Sequence, residues 1–70
     1  MTNTDLLREY IDNNGVKIQF LAKKLNISRA ALSQKINNKS EFKAKEIQGL
    51  CDLLGINSPE EQYRVFFMSK

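Results

Sequence analysis

The stretch Leu21-Ala22-Lys23-Lys24-Leu25-Asn26-Ile27-Ser28-Arg29-Ala30-Ala31-Leu32-Ser33 decides the fold. It completes an amphipathic pattern in which Ile18, Leu21, Ala22 and Leu25 stand at spacings 0, 3, 4 and 7, one apolar stripe of a helix. Asn26 then ends that helix, because asparagine enters the left-handed region more readily than most residues. Ser28, a strong N-cap type, opens a second helix only three residues later. Ala22 is small where the second helix must cross the backbone of the first, and Ile27 points inward from the turn to lock the crossing. The pattern is a helix-turn-helix, over about residues 17–37. Leu32 and Ile36 anchor its second helix, and the rest of that helix is small or polar. A helix so poor in apolar surface is either peripheral or reserves one face for a polar partner.

Working outward, three more helices are predicted. The first runs from about Asp5 to Asn13 on the stripe Leu6, Leu7, Tyr10 and Ile11, with Thr4 as its N-cap and Gly15 as its left-handed stop. The fourth covers about Ala44 to Leu54, with Ile47, Leu50, Cys51 and Leu54 on its stripe and Gly55 as its stop. Gly49 lies off that stripe at a cost near 1 kcal/mol relative to alanine, and the sequence offers no reason for it. The last helix, about residues 59–68, opens with Ser58-Pro59-Glu60-Glu61, where Ser58 caps, Pro59 takes the first position and Glu61 completes a capping box. Tyr63, Phe66 and Phe67 form its aromatic stripe, and at least one of the two phenylalanines is expected to pack on Leu6, Tyr10 and Ile11. No strand pattern competes. The expected fold class is all-α, a single five-helix domain spanning residues 1–70.

Composition excludes several functions. With 70 residues, 41% hydrophobic and 27% charged, the chain has the make-up of a small soluble domain with a thin core. The longest apolar run, Val65-Phe66-Phe67-Met68, falls far short of the ~18 residues of a membrane span. No charged segment leads into an apolar stretch at the start, so no signal peptide is expected. The chain has no histidine and a single cysteine, Cys51, which rules out a zinc finger and any Ser-His or Cys-His catalytic pair. An unstapled domain of this kind fits a reducing cytoplasm. No enzyme activity, cofactor, metal, membrane or small-molecule substrate is expected.

Charge points to a partner. Between Asp12 and Glu41 there is no acidic residue, yet Lys17, Lys23, Lys24, Arg29, Lys35 and Lys39 all fall there; the block carries +6 and the remainder −3, for a net +3. A basic block in an otherwise acidic chain is the footprint of a nucleic-acid contact surface, although six cations alone fit a solvated face as well; the helix-turn-helix makes double-stranded DNA the expected partner. In a helix-turn-helix the exposed start of the second helix meets base edges in the major groove. The residues placed there are Ser28, Arg29, Ala30, Ser33 and Gln34. Arg29 suits guanine O6 and N7, and Gln34 suits adenine N6 and N7. Lys17, Gln19, Lys35, Asn37 and Lys39 flank that face as phosphate contacts.

The chain resembles the Cro- and repressor-type helix-turn-helix regulators of temperate phages. It is similar in particular to a short Cro-like group from phages of Gram-positive bacteria, including the modulator-of-repression type of lactococcal phages. The resemblance covers nearly the whole chain and rests on Leu21-Ala22, Ile27-Ser28-Arg29, Leu32-Ser33, Lys35-Ile36-Asn37, Lys39-Ser40-Glu41-Phe42, Glu46-Ile47, Leu53-Leu54-Gly55 and Phe66-Phe67. It implies a lambda-repressor-like DNA-binding fold, operator binding in the host cytoplasm, and a part in the lysis/lysogeny switch opposite a partner repressor. Three departures stand out. Lys17 and Ile18 replace the Thr-Gln pair that commonly opens the second helix, Asn26 and Asn38 replace two glycines, and Lys43 replaces a capping threonine that would pair with Glu46.

Two function classes follow. One is a sequence-specific DNA-binding regulator. The other is an interaction protein, an antirepressor or co-repressor, which binds the cognate phage repressor or a second copy of itself. Val65 and Met68 lie off the Tyr63–Phe66–Phe67 stripe, so Val65, Phe66, Phe67 and Met68 are the leading expected partner surface, and the basic recognition face, which could receive an acidic patch on a repressor, is the other.

Overall fold

In the computed structural model, which describes residues 1–68, local caps set most helix boundaries. The helices are α1 (Thr4–Asn14), α2 (Ile18–Leu25), α3 (Arg29–Ile36), α4 (Ala44–Leu54) and α5 (Pro59–Phe66), with no strand among the described residues. The all-α, five-helix expectation holds. Asn3, not Thr4, caps α1: its Oδ1 accepts from Leu6 N–H at 3.1 Å. Thr4 is thereby free to donate its hydroxyl to the Ile36 carbonyl at 2.6 Å. Lys17 precedes α2 as a cap with no side-chain bond.

Two capping boxes are only half formed. Ser58 Oγ accepts from Glu61 N–H at 3.0 Å, but the Glu61 carboxylate turns to Arg64 at 2.9 Å. At α4, Lys43 has no side-chain acceptor to offer, so the box keeps only the bond from Lys43 N–H to Glu46 Oε1 at 2.9 Å.

The core draws on every helix: Leu7 and Ile11, Leu21 and Ala22, Leu32 and Ile36, Leu50, Cys51 and Leu54, then Val65 and Phe66. Burial, and then the neighbouring Asp52, push the Cys51 thiol up, so it stays protonated and acts as a small hydrophobe. Ile56, which belongs to no helical stripe, is also buried. Gly55 ends α4 at φ 72°, and Ile56 N–H then donates back to the Cys51 carbonyl at 2.9 Å, tucking its side chain under the helix end. Gly49 now has its reason: a Cβ there would lie 2.7 Å from Leu25 Cδ2, so α2 and α4 approach closely at that point.

The expected packing of α5 needs correction. Val65 is fully buried at 0% exposure and Phe66 is buried with it, whereas Tyr63 and Phe67 are 55% and 54% exposed. The end of α5 is pinned by the bond from Asn3 N–H to the Val65 carbonyl at 2.7 Å, and Phe66 sets its ring edge-on to Phe42 at 5.5 Å between centroids. Gln62 Nε2 donates to the Ile56 carbonyl at 2.9 Å, on the same side. These ties roll the helix so that residues 62, 65 and 66 face inward. Val65 and Phe66 are therefore core and offer no partner surface. Tyr63 and Phe67 stack on each other outside, centroids 6.4 Å apart, with Met68 exposed beside them. The helix itself stops at Phe66, two residues short of expectation.

Candidate nucleic-acid interface

The turn between α2 and α3 is fixed by backbone chemistry. Asn26 sits at φ 61°, ψ 40°; its N–H donates to the Lys23 carbonyl at 3.1 Å, and Ile27 N–H to the Ala22 carbonyl at 3.0 Å. This pair of bonds is a Schellman motif with asparagine in the glycine position and Ile27 as its apolar contact. Ser28 Oγ then accepts from Ala31 N–H at 3.0 Å and starts α3. The far end of α3 repeats the device. Asn38 sits at φ 65°, Asn38 N–H donates to the Lys35 carbonyl at 3.2 Å, and Lys39 N–H to the Gln34 carbonyl at 2.8 Å. The Asn38 amide also pairs twice with the Thr2 backbone, at 2.9 and 2.8 Å. The helix is thus held at both ends, with only Leu32 and Ile36 fully buried.

On this frame the site residues divide. Arg29, Ala30 and Gln34 are exposed and Ser33 is half-buried. One groove beside α3 is lined by Arg8, Ile18, Arg29, Ala30, Ser33 and Ile36. A second, between α1 and the start of α2, brings Lys17 and Gln19 to the same Arg8 and Arg29, with Asp12 in its wall. The structure therefore gathers Arg29, Ala30, Ser33, Lys17 and Gln19 into one continuous region. Ser28 lies at its edge with its oxygen engaged as the cap. Gln34 is exposed but lines neither groove, and Lys39 lies away from both, in a hollow with Thr2, Asn38 and Phe42. Lys24 is elsewhere on α2, its ammonium 5.6 Å from the exposed Phe20 ring.

Two expected phosphate contacts have other partners. Lys35 Nζ lies 2.6 Å from Glu46 Oε1, with the two side chains only 12% and 8% exposed, so it ties α3 to α4 instead of standing free. Burial alone would push the Glu46 carboxyl up. The hydrogen bonds from the Lys35 ammonium and Lys43 N–H outweigh that and hold it below its ordinary value. Asn37 is exposed, but its Oδ1 accepts from Arg8 Nη2 at 3.0 Å.

Arg8 is the residue that the sequence did not disclose. It lies on α1 among Asp5, Glu9 and Asp12, where a charge count along the chain reads acidic. Only the packing of α1 beside α3 brings it to the basic face. Among the described residues no cluster of His, Cys, Asp and Glu could hold a metal ion, and no helix is long and apolar enough to cross a membrane.

Comparison with known families agrees with this geometry: a family model described as Cro/C1-type HTH DNA-binding domain matches residues 6–61. No curated protein and no solved structure matches the chain.

Proposed function

Because this chain belongs to the Cro/C1-type helix-turn-helix DNA-binding domain family, a family that binds double-stranded DNA and regulates transcription, we propose that it is a Cro-like regulator of a temperate phage. It binds operator DNA in the bacterial host cytoplasm and takes part in the choice between lysis and lysogeny. The observation that carries this reading is the exposed start of α3, where Arg29, Ala30 and Ser33 share one surface with Lys17 and Gln19. Base-reading groups sit on a helix fixed at both ends, and cations flank them, which is the division of labour expected of a major-groove reader. A gel-shift titration on the promoter DNA of the parent phage tests it. Specific complexes at moderate salt are expected, and no preference for any sequence would sink direct promoter recognition.

A second reading has its own observation. The exposed Tyr63, Phe67 and Met68 form an apolar patch of a kind that marks a partner site, with Phe67 lining the hollow that also holds Asn38 and Lys39. On this reading the chain is an antirepressor or co-repressor that binds the cognate phage repressor. Repeating the titration with that repressor present separates the two: a shift that needs the repressor, or is abolished by it, favours the second.

A further inference from the structure

We infer that Arg8 is a DNA-backbone contact supplied from α1, outside the helix-turn-helix, and that Asn37 is its positioning residue; this rests on the DNA-binding reading above. Arg8 lines both the groove beside α3 and the groove between α1 and the start of α2, each time together with Arg29. Its guanidinium also reaches Asn37 Oδ1 at 3.0 Å, at the opposite end of the same helix. Arg8 therefore lies along one flank of α3, spanning the residues placed to read bases.

That position selects phosphate over base. A helix with its side chains is ~10–12 Å across and the major groove is ~12 Å wide, so α3 alone fills it. A side chain delivered from a neighbouring helix to the flank meets the strand that borders the groove. The chemistry agrees. Guanidinium has five donors in a planar fork suited to phosphate oxygens, and Asn37 uses one of them. The Asn37 amide is neutral, so it orients the fork without cancelling its charge. Asp12 lines the same groove one turn further along α1, yet the ion pairs among the described residues are Lys35–Glu46 and Arg64–Glu61, and Arg8 is in neither. With Lys35 committed to Glu46, Arg8 supplies a cation to the interface from a different element.

The test is fluorescence anisotropy with a labelled ~20-bp mixed-sequence duplex across a salt series, because each phosphate contact contributes about −0.9 to the slope of log K against log salt. The proteins are wild type, Arg8→Ala, Arg8→Lys, Asn37→Ala, the Arg8→Ala/Asn37→Ala double variant, and Arg64→Ala as a control of equal charge change. Thermal melting confirms that each is folded. Arg8→Ala is expected to flatten the slope by about 0.9, while Arg8→Lys and Arg64→Ala keep it. Asn37→Ala is expected to weaken binding with its charge-dependent slope retained, and to add nothing once Arg8 is gone. If wild type binds and Arg8→Ala matches it or matches Arg64→Ala, the inference is overturned while the DNA-binding reading stands. An Asn37→Ala effect that persists without Arg8 overturns the positioning role. If wild type binds no duplex at any salt, both readings fall.

Discussion

Lys35 and Glu46 show how one partner changes the meaning of a residue. Lysine on a polar helix reads as a phosphate contact, but this ammonium spends its charge on a carboxylate 2.6 Å away at the α3–α4 junction. Removing one member leaves the other buried and uncompensated, so Glu46→Ala is expected to cost about 3–5 kcal/mol in urea unfolding. The apolar pair Lys35→Met/Glu46→Leu should recover most of that. The pH dependence has a definite sign. The Glu46 carboxyl is lowered from 4.5 in the fold, so its contribution is complete above about 4.5 and is lost as pH falls through the lowered value. Wild type should therefore lose more stability than the apolar pair between neutral pH and that acid range, as read from urea midpoints. Lys35→Met should also leave the salt slope of DNA binding unchanged, unlike Lys17→Ala, whose ammonium is exposed at the groove. None of this was legible in the sequence, since the partner lies eleven residues away across a loop.

The helices themselves were largely legible because their signals are local. Caps, left-handed stops and the 0, 3, 4, 7 stripes depend only on neighbours in the chain, and they gave α2, α3 and α4 nearly to the residue. What was not legible was rotation about a helix axis where several faces are apolar. In α5, Tyr63, Val65, Phe66 and Phe67 offer more than one stripe, and a long-range bond from Asn3 chose the one containing Val65. The two asparagine stops permit a sharper test. Asn26 needs only its φ of 61°, and its side chain makes no hydrogen bond among the described residues. Asn26→Gly is therefore expected to be neutral or slightly stabilising, and Asn26→Ala to lose about 1 kcal/mol through strain at positive φ. Asn38 has the same backbone need but also holds Thr2 through its amide. Asn38→Gly should therefore destabilise by about 1 kcal/mol where Asn26→Gly does not, since its side-chain hydrogen bonds to Thr2 and Thr4 go with it. Equal melting shifts for the two glycine variants would falsify this distinction.

At the scale of the whole molecule, the body is 27 × 23 × 20 Å in extent, and the aromatic patch shares no groove with Arg29. Helix-turn-helix proteins commonly gain affinity by seating two copies on half-sites about 34 Å apart, one turn of DNA. If the 27 Å axis of each body lies along the DNA, two bodies at that separation leave a gap of about 7 Å, within reach of protruding side chains. Tyr63, Phe67 and Met68 are apolar and exposed around a ring pair already stacked in place, so a partner would order little on binding. Phe67→Ser with Met68→Ser is expected to leave the melting midpoint nearly unchanged, because exposed substitutions generally shift stability by less than about 0.5 kcal/mol. The same pair should abolish cooperative binding to DNA carrying two half-sites, or association with the cognate repressor, while affinity for a single half-site is retained. Val65→Ser is the contrasting control. Val65 is fully buried, so that variant should lose stability outright and impair every function together. If Phe67→Ser/Met68→Ser binds paired half-sites as cooperatively as wild type and still engages the repressor, the aromatic patch is no interface, and any coupling between copies must run through the DNA or through the α2 surface around Phe20.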